Sequence, residues 1–101
     1  MSQDNRDRPR LPWPLTWIVI YPDPSLDVWR LSASGEGIGF VEGTIGSLRA
    51  ADSPAEARRI AERRMADTAQ LFGDTATIRW RPPEPSGWIN GDIELTSNAA
   101  D

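Results

Sequence analysis

The residues whose spacing most resembles a ligand site are the glycines in the stretch SGEGIGFVEG, residues 34–43 of this 101-residue chain. A phosphate-binding loop directs backbone N–H groups at the anion and usually leads straight into a helix. Here the next helix start comes only at Pro54, Glu36 and Glu42 would repel a phosphate, and the chain has no lysine. The stretch therefore predicts a hairpin connection that continues into a third strand, with a bulge near Glu42-Gly43.

Arginines on a predicted helix are a second candidate. Arg58-Arg59 and Arg63-Arg64 are two adjacent pairs, and Arg59 and Arg63 lie four residues apart, so they share a helix face. Such a ridge can contact a phosphate backbone or an acidic partner. The alternative is a solvated face, because acidic residues are interleaved with these arginines, namely Glu56, Glu62 and Asp67.

A third candidate lies on the polar face of a predicted strand, where Arg79 and Arg81 alternate with apolar residues. Arg30 is a possible neighbour across the sheet. If that face is open, the three arginines and Trp88 form a surface for RNA or an acidic peptide. The alternative is that the charges protect an edge strand from pairing.

Trp13 stands between two prolines, which favour an extended path for the chain. An exposed indole is unfavourable, so Trp13 either docks on its own sheet or anchors a partner. Together the candidates for partner binding are Trp13, Arg59, Arg63, Arg79, Arg81 and Trp88.

Composition excludes several kinds of catalysis. The chain has no cysteine, histidine or lysine, which removes disulfides, Cys/His zinc sites, Ser-His-Asp triads and Schiff-base chemistry. The carboxylates show no Asp-x-Asp or EF-hand spacing. We therefore expect no catalytic residue, no metal and no cofactor, and a protein that is not an enzyme. The net charge of −4 weighs against nucleic acid as the main partner.

The hydrophobic pattern predicts an antiparallel sheet with one helix. In the first hairpin, Trp17, Val19 and Tyr21 are expected on the buried side with Trp29 and Leu31. Ser53-Pro54 begins the helix and Gly73 ends it. Asn90-Gly91 has the composition of a hairpin turn and predicts a short closing hairpin. The predicted strands cover residues 16–21, 28–33, 37–50 and 75–81, and the helix covers 54–71.

The expected fold class is α+β, with a three- to four-stranded, mainly antiparallel sheet in the order βββαβ and one helix packed on one face. Residues 1–15 are expected to form a flexible proline-containing arm, residues 16–95 a single domain, and residues 96–101 a loose tail. The longest apolar run is far shorter than a bilayer crossing needs, so we expect a soluble, cytoplasmic protein with no membrane contact.

The run Asp52-Ser53-Pro54-Ala55-Glu56-Ala57 at the helix start, with Trp29 in the preceding hairpin, resembles HicB-like antitoxin domains, which have a reduced ribonuclease-H-like fold. The resemblance covers about residues 16–81, and no DNA-binding segment follows it. It implies a small binding module without catalysis. We therefore expect a protein-binding or self-associating accessory module, with a protein partner or a homodimer; the alternative is a nucleic-acid binder that uses the helix and strand arginines.

Overall fold

The computed structural model describes residues 13–97, which form five β-strands and one α-helix. In chain order these are β1 (Trp17–Asp23), β2 (Val28–Gly35), β3 (Ile38–Thr44), α1 (Pro54–Leu71), β4 (Asp74–Trp80) and β5 (Ile89–Ser97). The α+β class is confirmed, and the sheet has one strand more than the three to four that were predicted. Within the described range, no helix combines the length and apolar composition that a bilayer crossing needs.

The extra strand replaces the closing hairpin that Asn90-Gly91 predicted. Both residues lie inside β5, and the turn prediction was therefore wrong. Ile89, Gly91 and Ile93 are buried on one face, so the strand continues through a sequence that favours a turn in isolation. The true hairpin joins β4 to β5 through the longer, proline-rich connection of residues 81–88.

All neighbouring strands are antiparallel, in the order β3-β2-β1-β5-β4. The first strand, β1, is therefore central, and β3 and β4 are the two edges. Two local units meet there: a meander of β1 to β3, and the unit of α1, β4 and β5. The pairing of β1 with β5 joins them into one sheet.

The register of the first hairpin contradicts the predicted buried face of β1. Ile18 pairs with Ala33 and Ile20 with Leu31, so these two isoleucines lie on the helix side of the sheet. Trp17, Val19 and Tyr21 face the other way. The sequence TWIVIY is apolar at both alternating sets of positions, so periodicity alone does not distinguish the two faces.

Helix α1 has the bounds that its capping residues predicted. Ser53 Oγ accepts a hydrogen bond from the backbone N–H of Ala55 at 3.1 Å, and Pro54 occupies the first turn. The helix packs on β4 and β1. Its buried residues recur every four positions and are small except for one methionine, which lets the helix approach the sheet closely; they are Ala57, Ala61, Met65 and Ala69.

The core lies between α1 and the sheet. Trp29 is buried there, and its indole N–H donates to the backbone oxygen of Asp52 at 3.1 Å. Leu15, in the segment predicted to be a flexible arm, is fully buried in the same cluster. The rest of that arm, residues 1–12, and most of the predicted tail, residues 98–101, lie outside the described residues.

The glycine-rich stretch forms a tight hairpin between β2 and β3. Gly37 has a φ of +75° in the two-residue turn Glu36-Gly37, a conformation that favours glycine. The predicted bulge at Glu42-Gly43 was wrong: pairing is regular from Val41 to Thr44, and the register shift lies nearer the hairpin turn, between Ala33 and Gly35 of β2.

Candidate interaction surface

The sheet has one face that no described element covers, and we call it the open face. Because directly paired residues of antiparallel strands point to the same side, the register defines its members. From the edge at β3 to the edge at β4 they include Phe40, Glu42, Arg30, Ser32, Trp17, Val19, Tyr21, Asp23, Asn90, Asp92, Glu94, Arg79 and Arg81. Val19 and Ser32 are buried among their neighbours on this face.

Two aromatic pairs stand on the open face. Trp17 and Phe40 meet edge to face, with ring centroids 6.0 Å apart, and Phe40 is 70% exposed. Tyr21 stacks on Trp88, with centroids 4.5 Å apart, and Trp88 is 42% exposed. Each exposed ring is therefore held in place by a second ring, which limits the side-chain entropy lost when a partner covers it.

Ion pairs lie on the same face, on both sides of β1. Arg81 makes a bidentate contact with Asp92, at 3.1 and 3.0 Å, and Arg79 pairs with Glu94. Arg30 lies 3.7 Å from Asp23 and 3.5 Å from Glu42. Three arginines thus face four carboxylates, and the open face is close to neutral on a chain whose net charge is −4.

The structure places the six sequence-predicted site residues in three locations. Arg79, Arg81 and Trp88 belong to the open face or its rim. Arg59 and Arg63 lie on α1, which packs against the opposite face. Trp13 lies against its own domain: its ring stacks on Phe72 at 5.3 Å, and its indole N–H donates to Asp74 at 2.9 Å. The six residues therefore do not form one surface.

Arg30, Arg79 and Arg81 lie on one face of the sheet, but the prediction that Arg30 neighbours the other two was wrong, because β1 and β5 lie between β2 and β4. Sequence reasoning missed Phe40, Trp17 and Tyr21 as surface residues. The only sequence indication for Phe40 was its position among glycines in a strand with little apolar alternation. Trp17 and Tyr21 are aromatic residues at the two ends of an otherwise aliphatic run, and this position was the available indication that they lie at the surface.

The helix arginines differ in their partners. Arg59 pairs with Glu56; this hydrogen bond lowers the pKa of Glu56 and raises that of Arg59. Arg64 crosses to β3, where it donates to the backbone oxygen of Thr44 at 3.1 Å. Arg58 and Arg63 make no ion pair within residues 13–97.

Metal-ligating side chains do not converge in the described part of the chain: no group of three or more aspartate or glutamate residues could hold an ion there. Comparison of the chain with protein-family models, curated proteins and solved structures returned no match. The resemblance to HicB-like antitoxin domains remains a prediction.

Proposed function

We propose that this chain is a small non-catalytic protein-binding module, and that its open face associates with the open face of a second copy. The observation that carries the proposal is the exposure of Phe40 and Trp88 on an uncovered sheet face, each mounted on another aromatic ring. Aromatic residues and arginine are the types enriched at the centres of protein interfaces.

Charge supports a second copy as the partner. Two molecules with a net charge of −4 repel each other over most of their surfaces. On the open face the arginines are already paired with carboxylates, so two such faces approach with little net repulsion. A face that carries both signs is also able to complement itself across a two-fold axis.

The test is the oligomeric state as a function of concentration, measured by sedimentation velocity and by light scattering after size exclusion. We expect a monomer–dimer equilibrium for the wild type. Phe40→Ser should raise the dissociation constant about tenfold or more, because it removes an interface anchor. Folding should be unaffected, since Phe40 is largely exposed.

Leu71→Ser is the matched control, because Leu71 is 80% exposed at the end of α1, away from the open face. It should leave the dimer unchanged. A wild-type protein that stays monomeric at several hundred micromolar would overturn self-association. Equal weakening of the dimer by Phe40→Ser and Leu71→Ser would overturn the assignment of the surface.

The alternative is nucleic-acid binding, and the observation in its favour is that Arg58 and Arg63 lack ion-pair partners within the described residues. Titration with single- and double-stranded DNA and RNA at two salt concentrations distinguishes the proposals. A steep loss of affinity with salt supports nucleic acid. An absence of binding at low salt removes this alternative and leaves the dimer test unaffected.

A further inference from the structure

The outer edge of β4 has backbone groups that no described strand pairs with. The N–H of Arg81 donates to the oxygen of Asn90 at 2.8 Å, in continuation of the β4–β5 register. Hydrogen-bonded and non-hydrogen-bonded pairs alternate along an antiparallel ladder. Thr77 and Arg79 therefore direct their N–H and C=O groups to β5.

The same alternation turns the N–H and C=O groups of Ala76, Ile78 and Trp80 outward. The side chains of these three residues lie on the helix side of the sheet. A further strand at this edge would hydrogen-bond to their backbone groups and would run beside α1. Unpaired edges of this kind are the sites at which proteins accept an extended peptide.

A groove lies between this edge and α1. Its volume is about 450 Å³, and its lining combines apolar residues with the charged side chains of the helix, namely Arg59, Glu62, Arg63, Ala66, Ala76, Thr77 and Ile78. This volume is in the usual range for binding clefts. Alternate side chains of an added strand would point into it, because they would share the face of Ile78.

The charges at the groove favour acidic side chains. Glu62 is engaged, since it accepts a hydrogen bond from the indole N–H of Trp80 at 2.6 Å. Arg63 makes no ion pair within residues 13–97, whereas Arg59 contacts Glu56 through Nε and Nη2, so its Nη1 is the group that would receive a second carboxylate. Arg59 and Arg63 are separated by about 6 Å along the helix axis. Alternate residues of an extended peptide lie roughly 6.6–6.8 Å apart, so two acidic residues at positions i and i+2 match the two arginines.

We propose that the outer edge of β4 binds an extended acidic segment of a partner protein as a sixth strand, with alternate Asp or Glu side chains directed to Arg59 and Arg63. A second copy of β4 does not fit, because that strand carries Asp74 as its only acid and would bring Arg79 to the same seam. The site lies on the helix side and is separate from the open face.

The probe is an end-blocked hexapeptide of three Thr-Glu repeats, which places every glutamate on one face when extended. Titration is followed by the amide resonances of uniformly ¹⁵N-labelled protein. We expect shifts at Ala76, Ile78 and Trp80 and slower hydrogen exchange of these amides. A peptide with Gln in place of Glu should bind more weakly, and Arg63→Gln should weaken the Glu peptide by up to about fivefold.

Arg58→Gln is the matched control, since it removes an equal charge from the same helix but not from the groove. Two N-methylated versions of the peptide test the backbone contact: one methylated at each Glu nitrogen, the other at each Thr nitrogen. Only one set of N–H groups can face β4, so only one version should lose binding. Loss with the Glu version indicates an antiparallel strand, and loss with the Thr version a parallel one.

Three results would overturn the proposal: no shift at Ala76–Trp80 at millimolar peptide, equal binding by both methylated versions, or equal effects of Arg63→Gln and Arg58→Gln. Phe40→Ser serves to separate the two proposals. It should leave peptide binding at β4 unchanged. Failure of the peptide test therefore does not contradict the open-face dimer, and failure of the dimer test does not contradict peptide binding at β4.

Discussion

The indole of Trp80 lies against Gly91, its partner in the neighbouring strand. A Cβ at position 91 would be 2.9 Å from Cε3 of Trp80 and 2.6 Å from Cγ2 of Ile78. Glycine thus makes room for a ring that also contacts α1 through its hydrogen bond to Glu62. Because Gly91 has no side chain, the sheet and the helix can pack closely at β4.

Gly91→Ala should therefore lower the free energy of unfolding by about 1–3 kcal/mol, because the added methyl group forces Trp80 or Ile78 out of place. Urea unfolding followed by tryptophan fluorescence measures the effect. Gly39→Ala is the control, since a Cβ there has no heavy atom within 4 Å and the backbone is not left-handed. Equal losses in the two variants would contradict the packing argument.

Trp13→Ala should destabilise the fold by about 2 kcal/mol, since it removes a half-buried ring and its hydrogen bond. Trp13→Phe keeps a ring that can stack on Phe72 but loses the hydrogen bond to Asp74, so it should cost less. Denaturant midpoints of the three proteins give the comparison. An unchanged denaturant midpoint in Trp13→Ala would contradict a stabilising role and would favour Trp13 as an anchor for a partner.

Ser53→Ala should lower stability by about 1 kcal/mol, because it removes the side-chain acceptor that caps α1. Ser47→Ala makes the same chemical change in an exposed loop, where the hydroxyl makes no hydrogen bond within residues 13–97, and should have no effect. Thermal unfolding followed by circular dichroism at 222 nm measures both. Similar melting temperatures for the two variants would argue against the cap as a source of stability.

Asp23 predicts a specific pH dependence. Its pKa lies below the ordinary 3.8, first because the Ser25 hydroxyl donates to it at 2.7 Å, and further because backbone N–H groups of Ser25 and Leu26 do so and Arg30 is near. A depressed pKa stabilises the fold above the unfolded-state pKa, and the contribution disappears as pH falls through the folded-state value.

The stability difference between wild type and Asp23→Asn should therefore be constant above about pH 5 and should shrink below pH 4. Urea unfolding from pH 6 to pH 2.5 measures it. Asp67→Asn changes the net charge equally, without hydrogen-bond partners for its carboxylate in residues 13–97, and serves as the control. A difference that persists undiminished at pH 2.5 would contradict the assignment.

The parts of the fold that depend on neighbouring residues were predictable from the sequence. Ser53-Pro54 and Gly73 determine where α1 begins and ends, because caps act within one turn. The alternation of Arg79 and Arg81 with apolar residues predicted correctly that they share a polar face. Their pairing with Glu94 and Asp92 depends on the β4–β5 register, which the sequence pattern does not contain.

The errors came from positions where tertiary contacts decide. Asn90-Gly91 favours a turn locally, but β5 is held between β1 and β4, so the pair remains extended. In β1 both sets of alternating positions are apolar, and the register with β2 selects Ile18 and Ile20 for the core. As a result, Trp17 and Tyr21 lie on the open face, which is the surface on which the proposed function depends.

The central position of β1 has a consequence for how the chain folds. Strand β1 acquires its second neighbour only when β5, the last strand of residues 13–97, is complete. During translation the meander of β1 to β3 can form early, but one edge of β1 then stays unpaired while residues 45–97 are added, which takes several seconds at ordinary rates of synthesis. Ile18 and Ile20 remain exposed in that interval, which makes the nascent meander the stage at which aggregation competes with folding.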